Sequence, residues 1–205
     1  NFQTAVNLWC SDKAAAFATY GHIKDWNVTG VTDMSNAFKD RATFDDDISD
    51  WNTSAVTNMS EMFVQATSFD QDIGGWDVGN VTNMENMFVH AHNFNQYIGD
   101  WNVSAVTNMG GMFMFAIDFN QPIGGWDIGN VTDMNLIFWR SYSLSDAHKG
   151  LIHSSFSSNP NWPYSSWSAQ VPAPASLNNA NFQTAVNLWC SDKATAFATY
   201  GHIKD

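Results

Sequence analysis

The residues best suited to bind a metal ion are acidic and recur in two successive segments of the chain. Asp45 and Asp47 lie in the first segment, and Asp70 and Asp72 hold the same positions 25 residues later. Their carboxylate oxygens are hard ligands of the kind that Ca²⁺ prefers. The next two segments lack this acidic pair. A solvated acidic edge is therefore the favoured alternative, and calcium is the one cofactor kept as a hypothesis.

Enzymatic chemistry has no candidate constellation in this sequence. A serine, threonine or cysteine nucleophile needs a base and an orienting acid close by. The histidines are scattered except for His90 and His92, and this pair occurs in one segment alone, so a solvated edge is favoured over a zinc site. The sequence also contains neither a phosphate-binding loop nor a dinucleotide-binding glycine motif. We predict a protein that is not an enzyme.

The charge balance limits the partners of the chain. Its 205 residues include 20 Asp and Glu against 8 Lys and Arg, which gives a net charge of −12. This charge repels phosphate, and since no basic cluster offsets it, we expect no nucleic-acid partner. No apolar run approaches the roughly 18 residues of a membrane span, so we expect no membrane insertion either.

Two periods organise the sequence. The shorter period is 25 residues, and it keeps tryptophan, valine, methionine and phenylalanine columns in register. The longer period is 180 residues, because residues 1–25 recur at 181–205 with a single change, Ala15 against Thr195. The chain therefore reads as one unit of a tandem array followed by the start of the next. The tryptophan column is Trp26, Trp51, Trp76, Trp101 and Trp126.

The pattern within one repeat predicts a stacked coil. The Ile-x-x-Trp-x-Val portion alternates as a half-buried strand does, with Trp26 and Val28 inward and Asn27 outward. The later apolar residues recur every three positions, which indicates turns and short 3₁₀ or α segments. Such coils bury their apolar side only by stacking. The predicted fold is a leucine-rich-repeat-like solenoid with short parallel strands on one face, turns and short helical segments on the other, and helical caps at the ends.

The domain organisation follows from where the repeats begin and end. Residues 2–20 are predicted to be helical with a break at Ser11 and Asp12, and Ser145 is predicted to cap a second helical segment. The predicted parts are an N-terminal helical cap (1–25), a five-coil solenoid (26–144), a C-terminal helical cap (145–158), a Pro/Ser-rich turn region and linker (159–180), and the start of the next unit (181–205).

One outward polar residue follows each tryptophan and offers a candidate binding face. On the predicted strand face, such a row of amides and carboxylates is suited to reading a glycan or a protein. The tryptophans themselves are assigned to a stacked core rather than to a carbohydrate platform, because every coil must fill the same interior position. The candidate binding residues are Asn27, Asn52, Asp77, Asn102 and Asp127.

The run VTNMSEMFVQATSFDQDIGGWDVGNVTNM resembles the repeats of BspA-like leucine-rich-repeat surface proteins. Those repeats follow the pattern W-D/N-V-S-x-V-T-D/N-M-x-x-M-F, and the resemblance covers residues 23–138 closely. It implies a secreted or surface-displayed solenoid, often in long arrays and associated with adhesion. It supplies no catalytic residues.

These observations predict a non-enzymatic structural or adhesion protein, extracellular or at the cell surface, whose units form a stalk or a head-to-tail fibre. The partner is the protein itself or an adjacent unit, because residues 181–205 nearly match the segment predicted to cover the first coil. The alternative is a glycan- or protein-binding module that uses the polar strand face. The predicted self-assembly residues are Phe182, Val186, Trp189, Cys190 and Phe197.

Overall fold

The computed structural model describes residues 1–170 and 182–191 of the chain. Between the helices at its two ends, the chain winds through five coils of turns, one for each repeat. None of the helices in the described part is long and apolar enough to cross a membrane. The helices are α1 (Phe2–Ser11), α2 (Lys13–Tyr20), α3 (Asp146–Phe156) and α4 (Phe182–Ser191), with 3₁₀ helices at Ile23–Asp25 and Ser165–Gln170.

The predicted strands do not form in the described residues, so the leucine-rich-repeat-like solenoid with a strand face is wrong. The Trp portion of each coil closes into turns instead: the N–H of Trp51 donates to the carbonyl of Ile48 at 3.2 Å, and that of Val56 to Thr53 at 2.8 Å. Turns at this spacing leave no stretch extended enough for a strand. What remains is one isolated parallel bridge between neighbouring coils, at Asp33↔Asn58, Asn58↔Asn83, Asn83↔Asn108 and Asn108↔Asp133.

A ladder of backbone hydrogen bonds joins each coil to the next. The N–H of Met59 donates to the carbonyl of Asn83 at 2.9 Å, and alternate residues continue the ladder as far as Gln65. Glu61 and Gln65 have φ angles of 57° and 58°, in the left-handed region. Residues in this region turn the chain, so the ladder is built from turns rather than from strands. Equivalent left-handed residues are Asn36, Asp40, Asn86, His90, Gly111, Phe115, Leu136 and Arg140.

The core consists of columns of identical side chains. The rings of Trp51 and Trp76 stack with centroids 6.3 Å apart, and those of Phe63 and Phe88 stack at 5.5 Å. Trp76 is buried, and its Nε1 donates to the carbonyl of Ile48 in the preceding coil at 3.1 Å. The inward position predicted for the tryptophan column is therefore confirmed for the four tryptophans from Trp51 onward.

The N-terminal helices are closed by side-chain caps. The side chain of Asn1 accepts the N–H of Thr4 at the start of α1, and Asp12 accepts the N–H of Ala15 at the start of α2. Gly21 ends α2 with a φ angle of 75°, a conformation that favours glycine. The helices, the break at Asp12 and the glycine stop are as predicted.

The C-terminal end of the coils is covered by α3 and by the residues after it. Ser145 caps α3 by accepting the N–H of His148, as predicted, and Phe156 is buried. The cover extends beyond the predicted cap, because the Trp162 and Trp167 rings lie 6.4 and 5.6 Å from that of Phe138. Part of the predicted turn region and linker is therefore packed on the last coil; its remainder lies outside the described residues.

Candidate functional site

The first two predicted calcium ligands of each coil link coils through backbone hydrogen bonds. Asp45 Oδ1 accepts the N–H of Asp70 at 3.0 Å and Nε2 of Gln71 at 2.9 Å. Asp70 Oδ1 in turn accepts the N–H of Asn95 at 2.9 Å. An acceptor is required here and a charge is not, since Asn95 continues the same ladder to Asn120. These acids have a role in stacking.

The other two predicted calcium ligands close turns within their own coils. Asp47 Oδ1 accepts the N–H of Ser49 at 3.0 Å, and Asp72 Oδ1 accepts that of Gly74 at 2.9 Å. The backbone bond from Ser49, together with its hydroxyl, lowers the pKa of Asp47. Within the described residues, no group of three or more His, Cys, Asp or Glu side chains is placed to hold a metal ion. Calcium binding stays a prediction.

The polar residues after the tryptophans also close turns. Asn52 Oδ1 accepts the N–H of Ser54 at 3.1 Å, and Asp77 Oδ1 accepts that of Gly79 at 3.0 Å. Each of these residues is exposed, so its second side-chain atom faces solvent. Ligand binding along this row stays a prediction, while its role in the turns is visible. The same turn bond is made by Asn27, Asn102 and Asp127.

An aromatic patch that the sequence reasoning missed lies on the last three coils. The Phe115 ring stacks on His90 at 4.2 Å, and the Arg140 guanidinium lies 5.3 Å from its other contact. Trp139, which is 41% exposed, contacts both Phe115 and Arg140. Burial, and then the neighbouring His92, lower the pKa of His90. The patch was missed because other coils hold unrelated residues at these positions.

The most extensive contact between different parts of the described chain is that of α1 with the first two coils. Val6 and Trp9 on α1 are buried there. The Phe2 ring packs edge-on against Trp51 with centroids 5.7 Å apart, and Gln3 Nε2 donates to the carbonyl of Ala37 at 3.3 Å. This interface covers the end of the stack, where a preceding coil would otherwise lie. We call it the cap site.

Asp46 is the polar centre of the cap site. Its Oδ2 accepts Nε1 of Trp9 at 2.9 Å, and its Oδ1 accepts Nζ of Lys13 at 2.7 Å. Beside it, Nη2 of Arg41 donates to Oδ1 of Asn7 at 3.0 Å. Both acceptor oxygens of one coil-one carboxylate are thus engaged by the N-terminal helices.

A cleft of about 250 Å³ runs beside these contacts, and Cys10 lies in its wall. Cys10 is half-buried, and this burial raises the pKa of its thiol. Arg41 opposes the rise and Asp46 adds to it. The thiol is therefore protonated at neutral pH and lacks the character of an activated nucleophile.

The predicted self-assembly residues fall partly within the described residues. On α4, Phe182 is 55% exposed and Val186 is half-buried. Trp189 and Cys190 belong to α4, but their side chains lie outside the described part of the chain, as does all of Phe197. The structure therefore shows one of these side chains to be largely open to solvent.

Their counterparts in residues 1–25 show how such a segment docks. The counterparts of the first four are Phe2, Val6, Trp9 and Cys10, and each of them lies at the cap site. The counterpart of Phe197 is Phe17, which is 58% exposed and has its ring beside that of His22. By analogy, four of the five predicted residues are suited to docking, and the fifth is not.

Comparison with known proteins gives a family and no activity. Residues 9–98 and 71–162 each match the family described as "Mycoplasma protein of unknown function, DUF285". The two matches together span more than half of the chain and include all five coils. No curated protein and no solved structure matches the chain.

Proposed function

We propose that this chain, which belongs to the family of Mycoplasma proteins of unknown function DUF285, is a non-enzymatic structural protein whose 180-residue units join head to tail. Its place in this proposal is outside the cell or at the cell surface, in a stalk or an adhesive array. The sequence likeness to BspA-like surface repeats supports that location. The acidic surface supports a partner that is neither nucleic acid nor a membrane.

One observation carries the proposal: the docked helix α1 and the helix α4 have the same sequence, FQTAVNLWCS. In α1, the apolar side of this sequence is packed on the coils. In α4, Phe182 is 55% exposed, whereas its counterpart Phe2 is partly buried against the core. The same side chains that bury α1 are therefore present a second time, and the first coil of another copy is their matching surface.

Competition at the cap site determines when units join. Each copy has one cap site and two segments that fit it, residues 1–25 and residues 181–205. The segment 1–25 is tethered beside the site, and a short tether supplies an effective concentration of about 1 mM. Joining between copies therefore requires a comparable protein concentration or a weakened N-terminal cap. The contact is head-to-tail, so it propagates into an open chain instead of closing into a dimer.

The proposal predicts opposite effects for the same substitution in the two segments. Trp9→Ala removes a buried ring and its bond to Asp46 from the chain's own cap. Residues 181–205 of another copy then dock in its place, and the mean mass rises. Trp189→Ala weakens the incoming segment, so the mean mass falls toward that of one chain, 22.8 kDa. Multi-angle light scattering over a concentration series to about 1 mM measures both.

The control pair is Phe17→Ala and Phe197→Ala, because Phe17 is exposed and lies away from the cap site. Both control variants are expected to match the wild type. Removal of residues 181–205 is expected to act like Trp189→Ala. The proposal fails if the full chain and the chain ending at residue 180 have the same monomeric mass throughout the series, or if the two tryptophan variants shift the mass in the same direction.

A further inference from the structure

The position held by Asp46 differs between the first coil and the next three. Coils two to four have glutamine there, and each glutamine reaches back to the preceding coil. Gln71 Nε2 donates to Asp45 Oδ1 at 2.9 Å, and Gln96 Nε2 donates to the carbonyl of Asp70 at 2.8 Å. The donor is thus directed at the coil below. The glutamines are Gln71, Gln96 and Gln121.

The first coil has no coil below it, and α1 and the start of α2 lie there instead. Those helices present donors, Nε1 of Trp9 and Nζ of Lys13, where a coil would present acceptors. A glutamine at position 46 would offer one acceptor oxygen in place of two and would bring an NH₂ group toward these donors. The carboxylate of Asp46 accepts both. The exchange of residue type therefore matches the exchange of neighbour.

We infer that Asp46 is the specificity-determining residue of the cap site, and that its partner in assembly is the Trp189 and Lys193 pair of a second copy. This inference rests on the proposed function, because residues 181–205 reach Asp46 only if units join. The sequence places tryptophan and lysine at 189 and 193 with the spacing of Trp9 and Lys13. Asp46 thereby marks the first coil, and no later coil, as the receptor.

The two contacts of Asp46 are unequal. Lys13 has a side chain that is 61% exposed, so its ion pair is screened by solvent and contributes little. The indole of Trp9 is buried, and Asp46 itself is 21% exposed. A charged acceptor that satisfies a buried donor is the stronger contact. Specificity therefore comes mainly from the tryptophan bond, and Lys13→Met is expected to have a small effect beside Asp46→Gln.

The test measures cap docking and assembly in the same full-length protein. Residues 2–11 and 182–191 have the same sequence, so Cys190→Ser is introduced first to give their peptides different masses. In this background, Asp46→Gln is expected to speed amide hydrogen exchange in α1 about tenfold, because docking loses a charged hydrogen bond. It is also expected to lower the mean mass in light scattering. Exchange in the coils is expected to be unchanged, which shows that the fold persists.

The matched control is Asp127→Asn, which removes the same charge from an exposed turn at the far end of the stack. It is expected to change neither α1 exchange nor the mean mass. If Asp46→Gln leaves α1 exchange at the control value, the role assigned to Asp46 is wrong and the proposed function is untouched. If α1 exchange rises and the mean mass does not change, the second copy is the wrong partner, and head-to-tail docking at this site is overturned with it.

Discussion

Replacing Trp76 by alanine is expected to lower the free energy of unfolding by about 3–5 kcal/mol. The ring is 3% exposed, and it stacks on Trp51 above the neighbouring Phe63. Alanine would leave a cavity between coils and would also leave the carbonyl of Ile48 without its indole donor. Urea unfolding followed by circular dichroism measures the change.

The control for this substitution is Trp139→Ala. Trp139 is 41% exposed and lies in the surface patch with Phe115, outside the core columns. We expect it to cost less than about 1 kcal/mol, as surface substitutions usually do. Equal losses for the two variants would contradict the assignment of the tryptophan column to the core.

The second large effect is expected at Asn159, where the substitution to aspartate should cost about 3 kcal/mol at neutral pH. Asn159 is 7% exposed, and its Nδ2 donates to the carbonyls of Ile128 and Val131 at 2.8 and 2.9 Å. Aspartate has the same shape but would turn a negative oxygen toward these two carbonyls. Thermal or urea unfolding of the full chain measures the loss.

The pH dependence of Asn159→Asp provides an internal check. Burial beside two carbonyls disfavours the charged form, so the pKa of the introduced carboxyl lies above its unfolded value of about 3.9. Its protonated form can donate to a carbonyl. The stability deficit should therefore shrink as the pH falls through the folded-state pKa. The matched control is Asn161→Asp, which is exposed and should change stability by less than about 0.5 kcal/mol. A pH-independent deficit would contradict the assigned donor role of Asn159.

The columns and the helices were predictable because their signals are repeated or local. The tryptophan and phenylalanine columns recur in every coil at one spacing, so the interior positions follow from arithmetic. The Asp12 and Ser145 caps follow from the preference of short polar side chains for helix starts. Both predictions rest on neighbours along the sequence or on an invariant column.

The absence of strands was not predictable from the same columns. Alternation of Trp26 and Val28 with Asn27 is typical of a strand, but a chain of turns buries alternate residues as well. The decisive residues are those with left-handed φ angles, and they include acids, amides, histidine, leucine and arginine, with glycine at Gly111 alone in the described coils. Stacking imposes their conformation, so no residue type announces it.

The cap site was hidden for a related reason. Asp46 stands between Asp45 and Asp47, and in the sequence it reads as one more acid of a solvated edge. Its distinct role appears only when the donors of Trp9 and Lys13 are seen to converge on it. The glutamines at the equivalent positions were the available signal, since a column that changes type at the end of a stack marks a change of neighbour.

The most direct test of head-to-tail joining is carbodiimide cross-linking of an equal mixture of ¹⁵N-labelled and unlabelled full-length protein at about 1 mM. Lysine bonded to Asp46 becomes joined to it, and the single difference between Ala15 and Thr195 tells peptides of Lys13 from those of Lys193 by mass. The account predicts cross-links between Asp46 of one isotope and Lys193 of the other. Cross-links of Asp46 to Lys13 alone, within molecules of one isotope, would contradict it.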